Sequence, residues 1–196
     1  MSAPPVIDAH QHFWRYDPVE YGWIEPSMAA IRRDFLPADL KRAASGAGVG
    51  AVVSVQARQT TSETAWLLDL ASADPFVAGV VGWVPLASPT VEVELERFAA
   101  HPKLRGVRHV LQDEADEYML QPAFARGLAA VRRLGLAYDI LVFERQLPSA
   151  IALADRHPDQ VLVLDHVAKP RIRDGQLEPW RERMRELASR PNVYCK

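Results

Sequence analysis

Short, nearly continuous apolar runs alternate with segments of helical spacing along this chain, and that alternation constrains its fold more than any other feature. The runs are Val6 to Phe13, Gly50 to Gln56, Val77 to Val84, Leu104 to Val110, Leu136 to Phe143 and Gln160 to His166, with Asn192 to Lys196 opening a seventh. Helical segments are expected at about 37–47, 60–73, 89–99, 122–134 and 148–157, and around Trp180, Met184 and Leu187. Thr60-Thr-Ser-Glu63 has the spacing of a capping box, in which hydroxyl and carboxylate satisfy the free amides of a helix start. Pro122 suits a first helical position and Gly135 a helix stop. Apolar strands each followed by a helix imply a parallel sheet covered on both faces.

A doubly wound sheet and a closed barrel share this alternation. No Gly-x-Gly-x-x-Gly turn or Walker-type loop follows any run, which counts against a nucleotide-binding doubly wound sheet. Polar residues instead collect where the strands should end: His12, Gln56, Arg108 and His109, His166, and Lys196. Barrel enzymes place their chemistry at that end. The expectation is an α/β fold of the (β/α)8 TIM-barrel class in one domain, 1–196. A closed barrel takes about 250 residues, so this one reads as cut short after the start of its seventh strand.

His10 and His12 stand two residues apart. On a strand such residues share a face, so the two imidazoles should project together with Asp8 beneath them. Imidazole titrates near neutral pH and is the commonest metal ligand. The pair therefore suits a metal, or an oxyanion and its proton. The segment from Phe13 to Leu36 carries Trp14, Tyr16, Tyr21, Trp23 and Phe35. It is too aromatic for disorder, and it reads either as a folded wall of a pocket or as a satellite hydrophobic cluster.

His166 is in register with Leu162 and Leu164 and should line the barrel interior or its rim. Arg108 and His109 are adjacent, so one of them faces inward. Arg108 is the candidate for a carboxylate or carbonyl oxygen, the alternative being a salt bridge from strand to helix. Gln56 and Arg58 share a face, and Lys196 could serve as a point charge. Asp139 is an acid expected to be buried, with no evident partner.

Bulk properties exclude some classes. A net charge of −2 offers no footprint for nucleic acid or an anionic membrane. No apolar run nears the ~20 residues of a membrane span. The start lacks the pattern of a signal peptide, and the single cysteine, Cys195, fits a reducing compartment. A cytoplasmic location is expected.

Asp8-Ala-His-Gln-His-Phe-Trp14 resembles the opening of the amidohydrolase superfamily, and more closely its branch of L-fucono-1,5-lactonases and pyrone-dicarboxylate lactonases. The similarity continues through Asp34-Phe-Leu-Pro-Ala-Asp-Leu40, Val80-Val-Gly-Trp83, Gly106-Val-Arg-His109, Leu164-Asp-His-Val-Ala-Lys-Pro170 and Asn192-Val-Tyr-Cys-Lys196. Tyr21-Gly-Trp23 and Gln112-Asp-Glu114 look most like the sugar-lactonase members. The resemblance implies a barrel that hydrolyses a lactone ester by water attack on a polarised carbonyl. It implies that His10, His12 and His166 are the catalytic set, with Trp23, Gln56, Arg58, Arg108, His109 and Lys196 around a small lactone substrate. His10 and His12 would hold one divalent metal, zinc or manganese, or the site would work without metal. The fifth run ends without a histidine, which argues against a binuclear centre. The superfamily's general base follows an eighth strand that this sequence does not reach. Two alternatives stay open: a non-catalytic remnant that binds or homo-oligomerises through exposed sheet edges, and a decarboxylase or amide hydrolase of the same superfamily.

Overall fold

The computed structural model describes residues 6–196. They form two compact units: residues up to Trp83 together with His101–Leu104, and Val84–Ala100 together with Arg105–Lys196.

The first unit contains β1 (Val6–Gln11), α1 (Pro37–Ala44), β2 (Val49–Val55), α2 (Thr61–Ala73) and β3 (Val77–Gly82). Its strands pair in chain order, all parallel. Thr60 caps α2, its hydroxyl accepting from the Glu63 amide at 3.2 Å. Close approach of α2 to β3 requires Gly82, where a Cβ would meet Thr64 Cγ2 at 2.5 Å. The Thr64 hydroxyl there accepts from Trp83 N–H and donates to Trp83 C=O, both at 2.8 Å. At the far end of α2, the Lys103 ammonium donates to the Ala71 and Val77 carbonyls at 2.6 and 2.8 Å. It thus takes up one of the carbonyls that a helix end leaves unbonded.

Residues 13–36 fold around a hydrophobic cluster of their own. Trp14, Tyr21 and Ile24 are buried, with Tyr16, Met28, Ile31, Phe35 and Ala57 packed on them. Trp14 and Phe35 exchange backbone hydrogen bonds of 3.0 and 2.9 Å, closing the excursion on itself. Trp23 stays 47% exposed, edge-on to Trp14.

The second unit holds α3 (Val91–Ala99), most of β4 (Leu104–His109), α4 (Pro122–Arg133), β5 (Ala137–Ile140), α5 (Leu147–Arg156), β6 (Leu162–Leu164), α6 (Trp180–Ala188) and β7 (Val193–Cys195). β4 to β7 pair in chain order, again all parallel. Pro122 opens α4, and Gly135 beyond its end takes φ +67°, the left-handed stop that favours glycine. The sixth strand is shorter than the sequence suggests. It ends at Leu164, because residues 166–169 all turn left-handed and leave the ladder. His166 therefore does not share the strand parity of Leu162 and Leu164.

Candidate functional site

In the first unit, the end of β1 brings two imidazoles together. His10 Nε2 and His12 Nε2 are 3.3 Å apart, with the rings edge to face. His12 Nδ1 lies 2.8 Å from the Val55 carbonyl. A carbonyl only accepts, so Nδ1 carries a proton, and in the neutral tautomer this leaves the Nε2 lone pair for a ligand or metal on the side of His10. Asp8 braces the backbone, its carboxylate accepting the His10 amide at 3.0 Å. Two imidazole nitrogens on a tetrahedral zinc ion, each at roughly 2.0–2.1 Å, sit about 3.3 Å apart. The observed pair has that spacing, and backbone bonding of the far ring nitrogen of His12 is the support that metal-binding histidines commonly show.

Gln56 and Arg58 follow β2. Gln56 is fully buried, its amide donating to the Arg58 carbonyl at 3.3 Å. The Arg58 guanidinium pairs with Glu20 and lies 5.0 Å from the Tyr21 ring centroid. Beneath them is Glu63, an acid that the sequence reading treats only as a capping residue. Fully buried, it reaches past the helix start, and its Oε2 accepts the Ala57 and Arg58 amides at 3.0 and 2.7 Å. Its Oε1 faces the Tyr21 hydroxyl at 3.4 Å. Burial pushes the Glu63 carboxyl up to about 7, against the pull of the two amides and Arg58. The motif Thr60-x-x-Glu63 signals the cap; only the fold shows that the carboxylate ties down the loop bearing Arg58.

In the second unit, both Arg108 and His109 are buried, although a regular strand would turn only one of them inward. Arg108 donates to Asp165 at 2.8 Å. This is an ion pair, as in the alternative reading, but to a residue just past β6. His109 Nε2 meets Glu114 Oε1 at 3.1 Å and stacks on Tyr118. Burial lowers the His109 pKa while Glu114 opposes the shift. Lys196 answers the question of Asp139: its ammonium lies 2.6 Å from Asp139 Oδ2 and 3.6 Å from Asp165 Oδ1. Burial first, and then the neighbouring Asp165, raise the Asp139 pKa, with Lys196 acting against both. His166 is exposed, on the left-handed turn after β6.

Beside this network lies a cleft of about 350 Å³ lined by Phe143, Glu144, Arg145, Lys169, Arg171 and Asp174. Its cations are matched locally. Arg145 pairs with Asp116, Lys169 donates to the Gln112 side chain, and Arg171 meets Asp174 at 3.3 Å. Burial, and then Arg108, lower the Lys169 pKa.

Comparison with known proteins places these residues in context. A family profile described as amidohydrolase matches residues 7–196. An L-fucono-1,5-lactonase of Burkholderia multivorans is 44% identical over 197 residues, covering 97% of this chain and 66% of its own. A crystal structure of an amidohydrolase from the same organism, with bound zinc, superposes at a TM-score of 0.91 and 45% identity, over 98% of this chain and 69% of that one. A probable 2-pyrone-4,6-dicarboxylic acid hydrolase of Acinetobacter baumannii shares the fold alone, at 17% identity and a TM-score of 0.77. The chain spans about two thirds of the length of the lactonase it matches. Its strand–helix alternation is that of the corresponding part of a (β/α)8 barrel.

Proposed function

The chain belongs to the amidohydrolase family, and from that premise we propose that it is the larger part of a single-domain hydrolase that opens the ester of a sugar-acid lactone. The observation that carries the reading is the His10–His12 pair, with its Nε2 atoms 3.3 Å apart. Such a pair suits one divalent ion, zinc or manganese. When bound, the metal would supply Lewis-acid polarisation of the carbonyl and a more acidic water. The zinc in the related structure and the identity to a lactonase support the same assignment.

The chain's own residues then divide the work. His10 and His12 hold the metal or, without it, meet the carbonyl oxygen directly. The family resemblance gives His166 a polarising role as well. Trp23 offers an exposed ring, and Gln56, Arg58, Arg108, His109 and Lys196 contact the lactone or fix the groups that do. The cations assigned to the substrate, Arg58, Arg108 and Lys196, are each paired with an acid, which favours a neutral polyhydroxy lactone over a dicarboxylate. No helix among the described residues is long and apolar enough to cross a membrane.

The test is pH-stat titration of L-fuconolactone and related aldonolactones with the full-length protein. It should be run as purified, after chelation, and after zinc or manganese is restored. Ring opening above the uncatalysed rate is expected, with loss in His10→Ala and His12→Ala. No acceleration with any aldonolactone under any metal condition would overturn the proposal.

A further inference from the structure

His166, Val167, Ala168 and Lys169 have φ of +54, +46, +58 and +48°, and no glycine is among them. For an L-residue each such conformation is disfavoured by roughly 5- to 30-fold, and a β-branched residue there is an outlier. A run of four persists only where surrounding contacts over-determine it.

Those contacts can be named. Ala168 is fully buried. The Lys169 amide donates to the His166 carbonyl at 2.8 Å, and its ammonium reaches the Gln112 side chain above the Phe143 ring. The Val167 side chain is only partly covered, the residue being 38% exposed. Its backbone is gripped at both ends. The N–H donates to the Lys196 carbonyl at 3.3 Å, and the C=O accepts the Trp180 indole N–H at 2.8 Å. Indole has one donor, and Trp180, the first residue of α6, spends it on this strained peptide.

We propose that Trp180 is a positioning residue: its indole N–H holds the left-handed turn and thereby sets the direction in which His166 leaves the end of β6. The consequence for catalysis rests on the reading of His166 as a polarising group; the consequence for the turn does not.

The experiment compares the full-length protein with Trp180→Phe, Val167→Gly and the double variant. Phenylalanine keeps a ring but cannot donate, while glycine takes the left-handed conformation freely. Trp180→Phe should speed amide exchange at Lys169 by roughly 2- to 12-fold, the worth of one neutral hydrogen bond. It should also shift the His166 ring signals in spectra of 15N-histidine-labelled protein, with His166→Gln identifying those signals. Adding Val167→Gly should bring both back towards wild type, and Val167→Gly alone should melt no lower than wild type. Lactone turnover in Trp180→Phe should fall through kcat, with KM little changed, because a polarising group acts on the transition state. Unmoved Lys169 exchange and His166 signals in Trp180→Phe would overturn the proposal, as would failure of Val167→Gly to restore them. If the wild type hydrolyses no lactone, the functional reading falls, while exchange and ring signals still decide the role of Trp180.

Discussion

Replacing Glu63 by glutamine should stabilise the protein at pH 8 and change little at pH 4. The side chain is fully buried, and its pKa rises from 4.5 to about 7, chiefly through burial. Between those values the native state holds a proton that the unfolded chain has released. Raising the pH through that window therefore favours unfolding. At about 1.4 kcal/mol for each tenfold change in proton affinity, the accumulated cost above pH 7 is about 3 kcal/mol. Glutamine does not titrate and fits the site. One oxygen, Oε2, takes both backbone amides, which the glutamine carbonyl can also do. The amide group would then face the Tyr21 hydroxyl. For a chain of this size each kcal/mol moves Tm by roughly 2–4 °C, so the advantage of Glu63→Gln should grow by about 6–12 °C from pH 4 to pH 8. Calorimetric melting of both proteins across that range is the assay, and the difference between them cancels titrations they share. A constant gap, or one that narrows as pH rises, would refute the claim that an ionised Glu63 is costly.

Other consequences can be checked independently. Asp139→Ala removes the 2.6 Å partner of the Lys196 ammonium and leaves it Asp165 at 3.6 Å, so it should cost about 1.5–3 kcal/mol, the worth of one charge-assisted hydrogen bond; Asp139→Leu with Lys196→Met should recover most of it in urea melts. A Cβ at Gly127 would collide with the Leu86 backbone carbonyl, so Gly127→Ala should lose about 1–3 kcal/mol as an overpacking substitution, measured by the same melts. Thr60→Ala removes the cap of α2 and should cost about 1 kcal/mol. If His10 and His12 hold zinc, either alanine variant should retain less metal by elemental analysis, and chelation should lower the Tm of wild type more than that of the variants.

Much of the architecture was readable because it rests on local chemistry. Apolar runs with turn-forming ends, the Thr60 cap, Pro122 at a helix start and Gly135 at a stop are decided within a few residues, and the elements lie within a few residues of where the pattern puts them. The His10–His12 convergence was readable for the same reason, since two residues on one strand share a face whatever surrounds them. The run from Gln160 to His166 misled because its apolar pattern continues past the point where the backbone turns left-handed. Nothing in Asp-His-Val-Ala-Lys announces that turn, since glycine, the usual signal, is missing.

What the sequence determined by itself, then, is the periodic order of strands and helices and the pairing of neighbours on one strand. Only the tertiary structure decided which acid meets which cation. Arg108 finds Asp165, Lys196 finds Asp139, Glu63 holds the amides of Ala57 and Arg58, and Trp180 holds Val167. These partners lie from 5 to 57 residues apart along the chain. Secondary-structure periodicity carries no information about contacts made across such distances, because they depend on how whole elements pack. A buried charge or donor in low dielectric must take whichever partner that packing brings within reach.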